Sequence, residues 1–200
     1  FSRQDPGMID QDLIKSGSTH LKSMLASLST DHNGLILIED VFTDHIIEKL
    51  LKFCIAADDW EPQLTADNKT VVANRKKISW RYDCIVEETH TILENATPEI
   101  SRLIKRDNLV FGGVNLWKDT EGYTIKPHTD NPVIQTSLQV YIQNLPTLST
   151  IFEYDGNLVH TNPNTNAGYI SDNLIGIPHW LPDAVPAVFN RYSLHAIWSY

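Results

Sequence analysis

After Asp107 the chain becomes a succession of short β-type runs: Leu109 to Trp117, Tyr123 to His128, Leu138 to Ile142, Thr150 to Tyr154, Gly168 to Ser171, Gly176 to Trp180 and Phe189 to Trp198. Turn chemistry such as Asp155-Gly156-Asn157 and Asn162-Pro163-Asn164 separates them. The preceding half is helical in pattern. Strands grouped after helices predict an α+β domain, and a double-sheet jelly roll with the helices packed on one sheet is the natural closure. The open mouth of such a barrel is a place for a small-molecule site. A single domain is expected over 1–200, with residues 1–107 as a helical layer carrying one lead-in strand and residues 108–200 as the jelly-roll core.

In the first half, Met8, Leu13, Ile14, Leu21, Met24, Leu25 and Leu28 are partly periodic and Gly17 interrupts them, which predicts a peripheral helix. Leu35-Ile36-Leu37-Ile38 follows Asn33-Gly34 and reads as a buried strand. Thr43 caps the next helix, whose Ile46, Ile47, Leu50, Leu51 and Cys54 oppose Glu48, Lys49 and Lys52. A further helical region runs from Ile85 to Lys105, divided or restarted at Pro98. Residues 58–83 are polar and show no assignable period; Trp60 and Trp80 read as packing anchors.

The formal charge of -9 argues against a nucleic-acid partner, whose phosphates require a basic face. No apolar run approaches eighteen residues, so no membrane span is expected, and no secretory leader is read. Cys54 and Cys84, the two cysteines, fit buried thiols in a reducing compartment, hence a cytoplasmic location. Without a leader, Asn68-Lys69-Thr70 and Asn95-Ala96-Thr97 are accidental matches to the glycosylation pattern.

The chemistry centres on His128-Thr129-Asp130. In extended backbone residues i and i+2 share a face, so imidazole and carboxylate can reach one ion. A second histidine would complete a two-histidine, one-carboxylate set, which leaves coordination positions open on a divalent first-row metal. A chain with eight His produces such a tripeptide readily by chance, so the surroundings must carry the case. His160 lies beside Asn162-Pro163 and reads as surface loop. His179 is preferred as the third ligand, on a strand next to that of Arg191, with His195 the runner-up. Arg191 is the only Lys or Arg from Pro127 to Tyr200. It alternates with Ser193 onto one face, so that a guanidinium fork and a hydroxyl meet the same carboxylate. The competing reading is a rim ion pair with Asp172, Asp183 or another acid.

These residues resemble the Fe(II)/2-oxoglutarate-dependent dioxygenases, which have a double-stranded β-helix fold, and most of all the prolyl hydroxylase branch. Gly122-Tyr123 before the histidine, Asp130-Asn131-Pro132 after it and Arg191-Tyr192-Ser193-Leu194 running into Trp198 carry the likeness. It covers roughly residues 109–200. The resemblance implies Fe(II) held by His128, Asp130 and His179, and 2-oxoglutarate anchored by Arg191 and Ser193. Tyr141 stands where the family often supplies a tyrosine to the co-substrate, and ascorbate is the accompanying reductant. It implies hydroxylation of a C–H bond in a peptide, prolyl among them, or in a small molecule. No acid–base residue is needed beyond the metal site. The sequence departs from the family in lacking a Gly-Gly step before Leu148-Ser149-Thr150-Ile151-Phe152, and in a longer interval from His179 to Arg191. A cupin-like metal-binding protein or isomerase without 2-oxoglutarate is the alternative, but it has no use for Arg191 and Ser193. A zinc hydrolase lacks its H-E-x-x-H or C-x-x-C. Trp117, Trp180 and Tyr123 are candidates to line the mouth.

Overall fold

The computed structural model describes residues 8–65, 70–79 and 84–200. The anchor expected at Trp80, Asn68 and Lys69 of the Asn68-Lys69-Thr70 tripeptide, and the side chain of Cys84 lie outside the described residues. The elements, in chain order, are α1 (Gln11–Ser27), β1 (Leu35–Ile38), α2 (Asp44–Ala56), β2 (Glu61–Leu64), β3 (Val71–Ser79), α3 (Cys84–Asn95), α4 (Thr97–Ile104), β4 (Val110–Asp119), β5 (Ile125–His128), β6 (Thr136–Gln143), β7 (Ile151–Tyr154), β8 (Asn157–His160), β9 (Gly168–Asp172), β10 (His179–Leu181) and β11 (Arg191–Ser199).

The strands form two sheets. The larger has seven, in the order β1-β9-β6-β11-β4-β3-β2, and the smaller has four, β5-β10-β7-β8. From β4 onward the chain places β4, β6, β9 and β11 in the first and β5, β7, β8 and β10 in the second, which is the expected double-sheet jelly roll. The first half contributes β1, β2 and β3 to the large sheet. The β2–β3 hairpin was not legible because its residues, Glu61-Pro62-Gln63-Leu64 and Val71 to Ser79, are mostly polar and largely exposed.

The helices follow from local chemistry. Asp10 caps α1, its carboxylate accepting from Leu13 N at 2.9 Å, while its own N–H reaches the buried Glu88 of α3 at 2.7 Å. Gly17 does not interrupt α1 as expected. A Cβ there would lie 2.6 Å from Ile46 Cδ1 and from Ile92 Cδ1, so the glycine lets α2 and α3 side chains press against the helix. Nor is α1 peripheral, since Leu21 and Leu25 are fully buried. Thr43 precedes α2 without making a side-chain cap bond. Pro98 sits in the first turn of α4, and Lys105 ends that helix in the left-handed conformation. The Asp155-Gly156 pair joins β7 to β8 as a two-residue hairpin turn, with φ of 48° and 75°, the positive values such a turn demands.

Alternation divides the large sheet into two unlike faces. Val114, Leu116, Leu138, Val140, Ile142, Ile170, Tyr192, Leu194, Ala196 and Trp198 join Leu21, Ile46, Leu50, Ile92 and Leu103 of the helices in the main core. The intervening residues of the same strands therefore face the small sheet. These include Trp117, Asp119, Gln139, Tyr141, Tyr169, Arg191, Ser193 and His195, so the interior between the sheets is polar.

Candidate functional site

His128 ends β5 and His179 begins β10, and the two are direct partners across that antiparallel pair. Asp130 lies just beyond β5. The ligand atoms of His128, Asp130 and His179 all fall within 4.8 Å of one another, and they are the one such group of three among the described residues. Asp130 Oδ1 is 3.6 Å from both His128 Nε2 and His179 Nε2. The other ring nitrogens are committed to backbone carbonyls: His128 Nδ1 to Lys126 at 2.9 Å and His179 Nδ1 to Ile177 at 3.1 Å. This outer arrangement selects the tautomer that turns both Nε2 lone pairs toward Asp130. Phe152 stacks on the His179 ring at 4.9 Å.

Electrostatics follow the same geometry. Burial acts to raise the Asp130 carboxyl, but the adjacent His128 and the nearby His179 and His195 hold it below its ordinary value. His128 is raised, chiefly by the Asp130 carboxylate, with burial opposing. His179 is lowered by burial, which outweighs Asp130. Two histidine nitrogens and one carboxylate oxygen suit iron or another divalent first-row ion.

A cavity of about 270 Å³ opens beside the cluster, lined by His128, Asp130 and His179 together with Arg75, Trp117, Tyr123, Gln139, Tyr169 and His195, among others. Trp117 and Tyr123 line it as expected; Trp180 does not. His195 contributes to the wall but stands outside the ligand group, so the runner-up ligand is not brought into the cluster. Burial pushes its imidazole down to about 4. His160 is exposed at the end of β8, a strand residue where loop was expected.

His179 and Arg191 do not lie on neighbouring strands as expected. They belong to opposite sheets, His179 on β10 and Arg191 on β11. Arg191 is fully buried and donates from Nη1 to Asp119 Oδ2 at 2.8 Å and from Nε to Asn144 Oδ1 at 3.2 Å. Neither Asp172 nor Asp183 is its partner; Asp172 pairs with Arg106 at 2.6 Å. Its Nη2, and the Oγ of the fully buried Ser193, have no hydrogen-bond partner. Buried polar atoms are rarely left so, and these two lie on one strand face, a guanidinium nitrogen and a hydroxyl of the kind that can hydrogen-bond a carboxylate. Tyr141 packs its ring 5.0 Å from the Arg191 guanidinium, and its hydroxyl is shared with Thr150 Oγ1 at 3.0 Å and Thr161 Oγ1 at 2.8 Å.

Sequence reasoning missed Arg75 and Asp119. Arg75 binds Asp119 through Nε at 2.6 Å and Nη2 at 3.1 Å, and lies over the rings of Trp117 at 4.7 Å and Tyr123 at 4.5 Å. Burial works against its charge, but Asp119, Tyr123 and Tyr169 together outweigh it and its pKa is raised. The only available signal was the alternation of β4 that puts Asp119 on the face of Trp117. β3 offered none.

No protein-family model matches the sequence, and a search of curated proteins returns no match. Solved structures do resemble it. A prolyl hydroxylase from Trichoplax adhaerens, in complex with a hypoxia inducible factor peptide fragment, superposes with a TM-score of 0.65 at 14% identity, over 94% of this chain and 91% of that one. A prolyl-4-hydroxylase from Pseudomonas putida gives 0.69 at 12%, over 92% and 99%. The non-haem α-ketoglutarate-dependent epimerase SnoN from nogalamycin biosynthesis gives 0.61 at 9%, over 95% and 82%. The chain has the fold shared by the prolyl hydroxylases and other 2-oxoglutarate- and Fe(II)-dependent oxygenases.

Proposed function

We propose that this protein is a non-haem Fe(II) oxygenase that couples oxidative decarboxylation of 2-oxoglutarate to hydroxylation of a C–H bond in a peptide or small organic molecule. The observation that carries the proposal is the pairing of the His128, Asp130 and His179 cluster with two partnerless buried groups, Arg191 Nη2 and Ser193 Oγ, inside the same barrel. A cupin-like metal protein or an isomerase working without the oxo acid would leave that buried pair unsatisfied.

His128, Asp130 and His179 would hold the metal, with the Lys126 and Ile177 carbonyls fixing the two imidazoles. Arg191 and Ser193 would take the remote carboxylate of 2-oxoglutarate. Tyr141 supports the guanidinium from below, its hydroxyl held by Thr150 and Thr161. The cavity of about 270 Å³ lies beside the metal cluster and would admit the end of a short oxo acid nearest the metal; Arg191, Ser193 and Tyr141 are not among the residues that line it. Iron and 2-oxoglutarate, when bound, supply the oxidation, in which the oxo acid becomes succinate and carbon dioxide and oxygen enters the substrate. Trp117, Tyr123 and Tyr169 line the cavity. A peptide in the Trichoplax structure and the epimerase reaction of SnoN show that this fold serves different substrates and outcomes.

The test is anaerobic titration with Fe(II) and 2-oxoglutarate, following the metal-to-ligand charge-transfer band, then turnover with ascorbate present. His179→Ala and Asp130→Ala are expected to lose the band through loss of iron. Arg191→Ala is expected to retain iron and weaken 2-oxoglutarate by roughly a hundredfold, the cost of removing a desolvated charge partner. Unchanged affinity in Arg191→Ala would refute the anchor, and metal binding with no response to 2-oxoglutarate would favour the cupin-like alternative.

A further inference from the structure

The anion anchor contains a second arginine from the opposite half of the sequence. Asp119 is fully buried and serves both guanidiniums: Oδ1 takes Arg75 Nε, while Oδ2 takes Arg75 Nη2 at 3.1 Å and Arg191 Nη1 at 2.8 Å. Neighbouring strands bring the three together, since Asp119 of β4 is in register with Arg75 of β3 on one side and with Arg191 of β11 on the other. Two positive groups and one negative leave this three-residue group with a net charge of +1. Were Arg191 and Asp119 alone, the pair would be neutral, and an incoming carboxylate would meet the Asp119 charge as well as the guanidinium.

Arg75 is in turn held fast. Its guanidinium lies over Trp117 and Tyr123, its edge is bound bidentately, and its side chain is only 15% exposed. Bidentate pairing with Arg75 takes up the Asp119 charge, and Asp119 claims only one nitrogen of Arg191. Arg191 Nη2 and Ser193 Oγ are then left for a ligand.

We propose that Arg75 is a positioning residue for the oxo acid: by neutralising Asp119 it keeps the Arg191 guanidinium electrostatically free, so the anchor is the triad Arg75–Asp119–Arg191 and not Arg191 alone. This deepens the functional reading above and rests on it. One carboxylate would bring the charges of these three residues to zero. The triad therefore favours a ligand with a single anionic tail.

The experiment measures 2-oxoglutarate affinity of the Fe(II)-loaded protein without oxygen, by the charge-transfer band and by quenching of tryptophan fluorescence. Far-UV circular dichroism checks each variant for folding. Arg75→Gln is expected to weaken binding by roughly tenfold or more. Adding Asp119→Asn to Arg75→Gln is expected to restore most of that loss, because Arg191 is released from its neutral pair. Arg75→Lys, which keeps the charge, should stay within a few-fold of the parent, and Asp119→Asn alone should bind at least as tightly. An Arg75→Gln protein of unchanged affinity overturns the proposal. So does a double variant that stays as weak as Arg75→Gln, since that result makes Arg75 a direct ligand contact or a structural support. If Arg75→Gln does not fold, a tenfold loss in Asp119→Asn overturns the proposal by itself. Arg191→Ala separates the two levels: unchanged binding there refutes the functional reading, whereas loss there without rescue in the double variant refutes only the role of Arg75.

Discussion

His195 offers a test of the site's polarity that does not depend on metal or substrate. Its imidazole lines the cavity, and burial drives its pKa from the ordinary 6.5 to about 4, with Asp130 opposing and Arg75 and His179 reinforcing. The folded protein therefore refuses a proton that the unfolded chain accepts. With the folded pKa depressed, the unfolded state binds more protons between 6.5 and 4, so stability is fully present above pH 6.5 and is lost as pH falls toward 4. Each pH unit in that window removes up to about 1.4 kcal/mol, so acidification from pH 7 to pH 5 should cost about 2 kcal/mol through this residue alone. The measurement is urea unfolding of the metal-free protein at pH 7, 6 and 5, compared with His195→Gln. The variant cannot titrate, and its stability should fall by about 2 kcal/mol less over the same range. Other groups, among them His90 and His179, which are lowered in the same sense, and His128, which is raised, cancel in this comparison. Equal acid loss in parent and variant, or an NMR titration placing His195 near 6.5, would refute the claim that the interior wall is desolvated.

Three further outcomes are expected. Gly168→Ala would place a Cβ 1.8 Å from the Gln139 carbonyl oxygen, across the pairing of β9 with β6, where only backbone can give way; it should destabilise by about 3 kcal/mol, read as a fall of roughly 6–12 °C in Tm. Phe152→Ala removes a fully buried ring that stacks on His179, and should cost about 3–5 kcal/mol in chemical unfolding and weaken metal binding as His179 loses its support. Burial pushes the Cys54 thiol from 9.0 up to about 12, so it should resist alkylation at pH 8 until the protein is unfolded, and stability should decline as pH rises through that interval because only the unfolded thiol ionises.

Much of the candidate site was legible. His128 and Asp130 were readable because two residues in extended backbone share a face, and Arg191 with Ser193 for the same reason. Arg191 also stood out as the one cation in a long stretch, which is a property of order in the chain and needs no coordinates. The helices were legible where apolar spacing was regular, as in α2, and α4 began in the region of Pro98 where its fixed φ favours a first turn. Gly17 was misread because a gap in a periodic pattern looks the same whether it breaks a helix or admits a neighbour; only the Ile46 and Ile92 contacts distinguish the two.

The sequence by itself determined the two-faced strands of the second half, the local pairs of site residues and the regular helices, since each depends on contacts or periodicities a few residues long. Only the tertiary structure decided that His179 and Arg191 would lie in opposite sheets, and that Arg75, from a hairpin with no apolar period, would share Asp119 with Arg191 across 44 and 72 residues of chain. Strand order and register make those meetings, and neither is encoded in any single stretch. They come from which strands pair when the sheets close, and that is settled by burial over the whole chain.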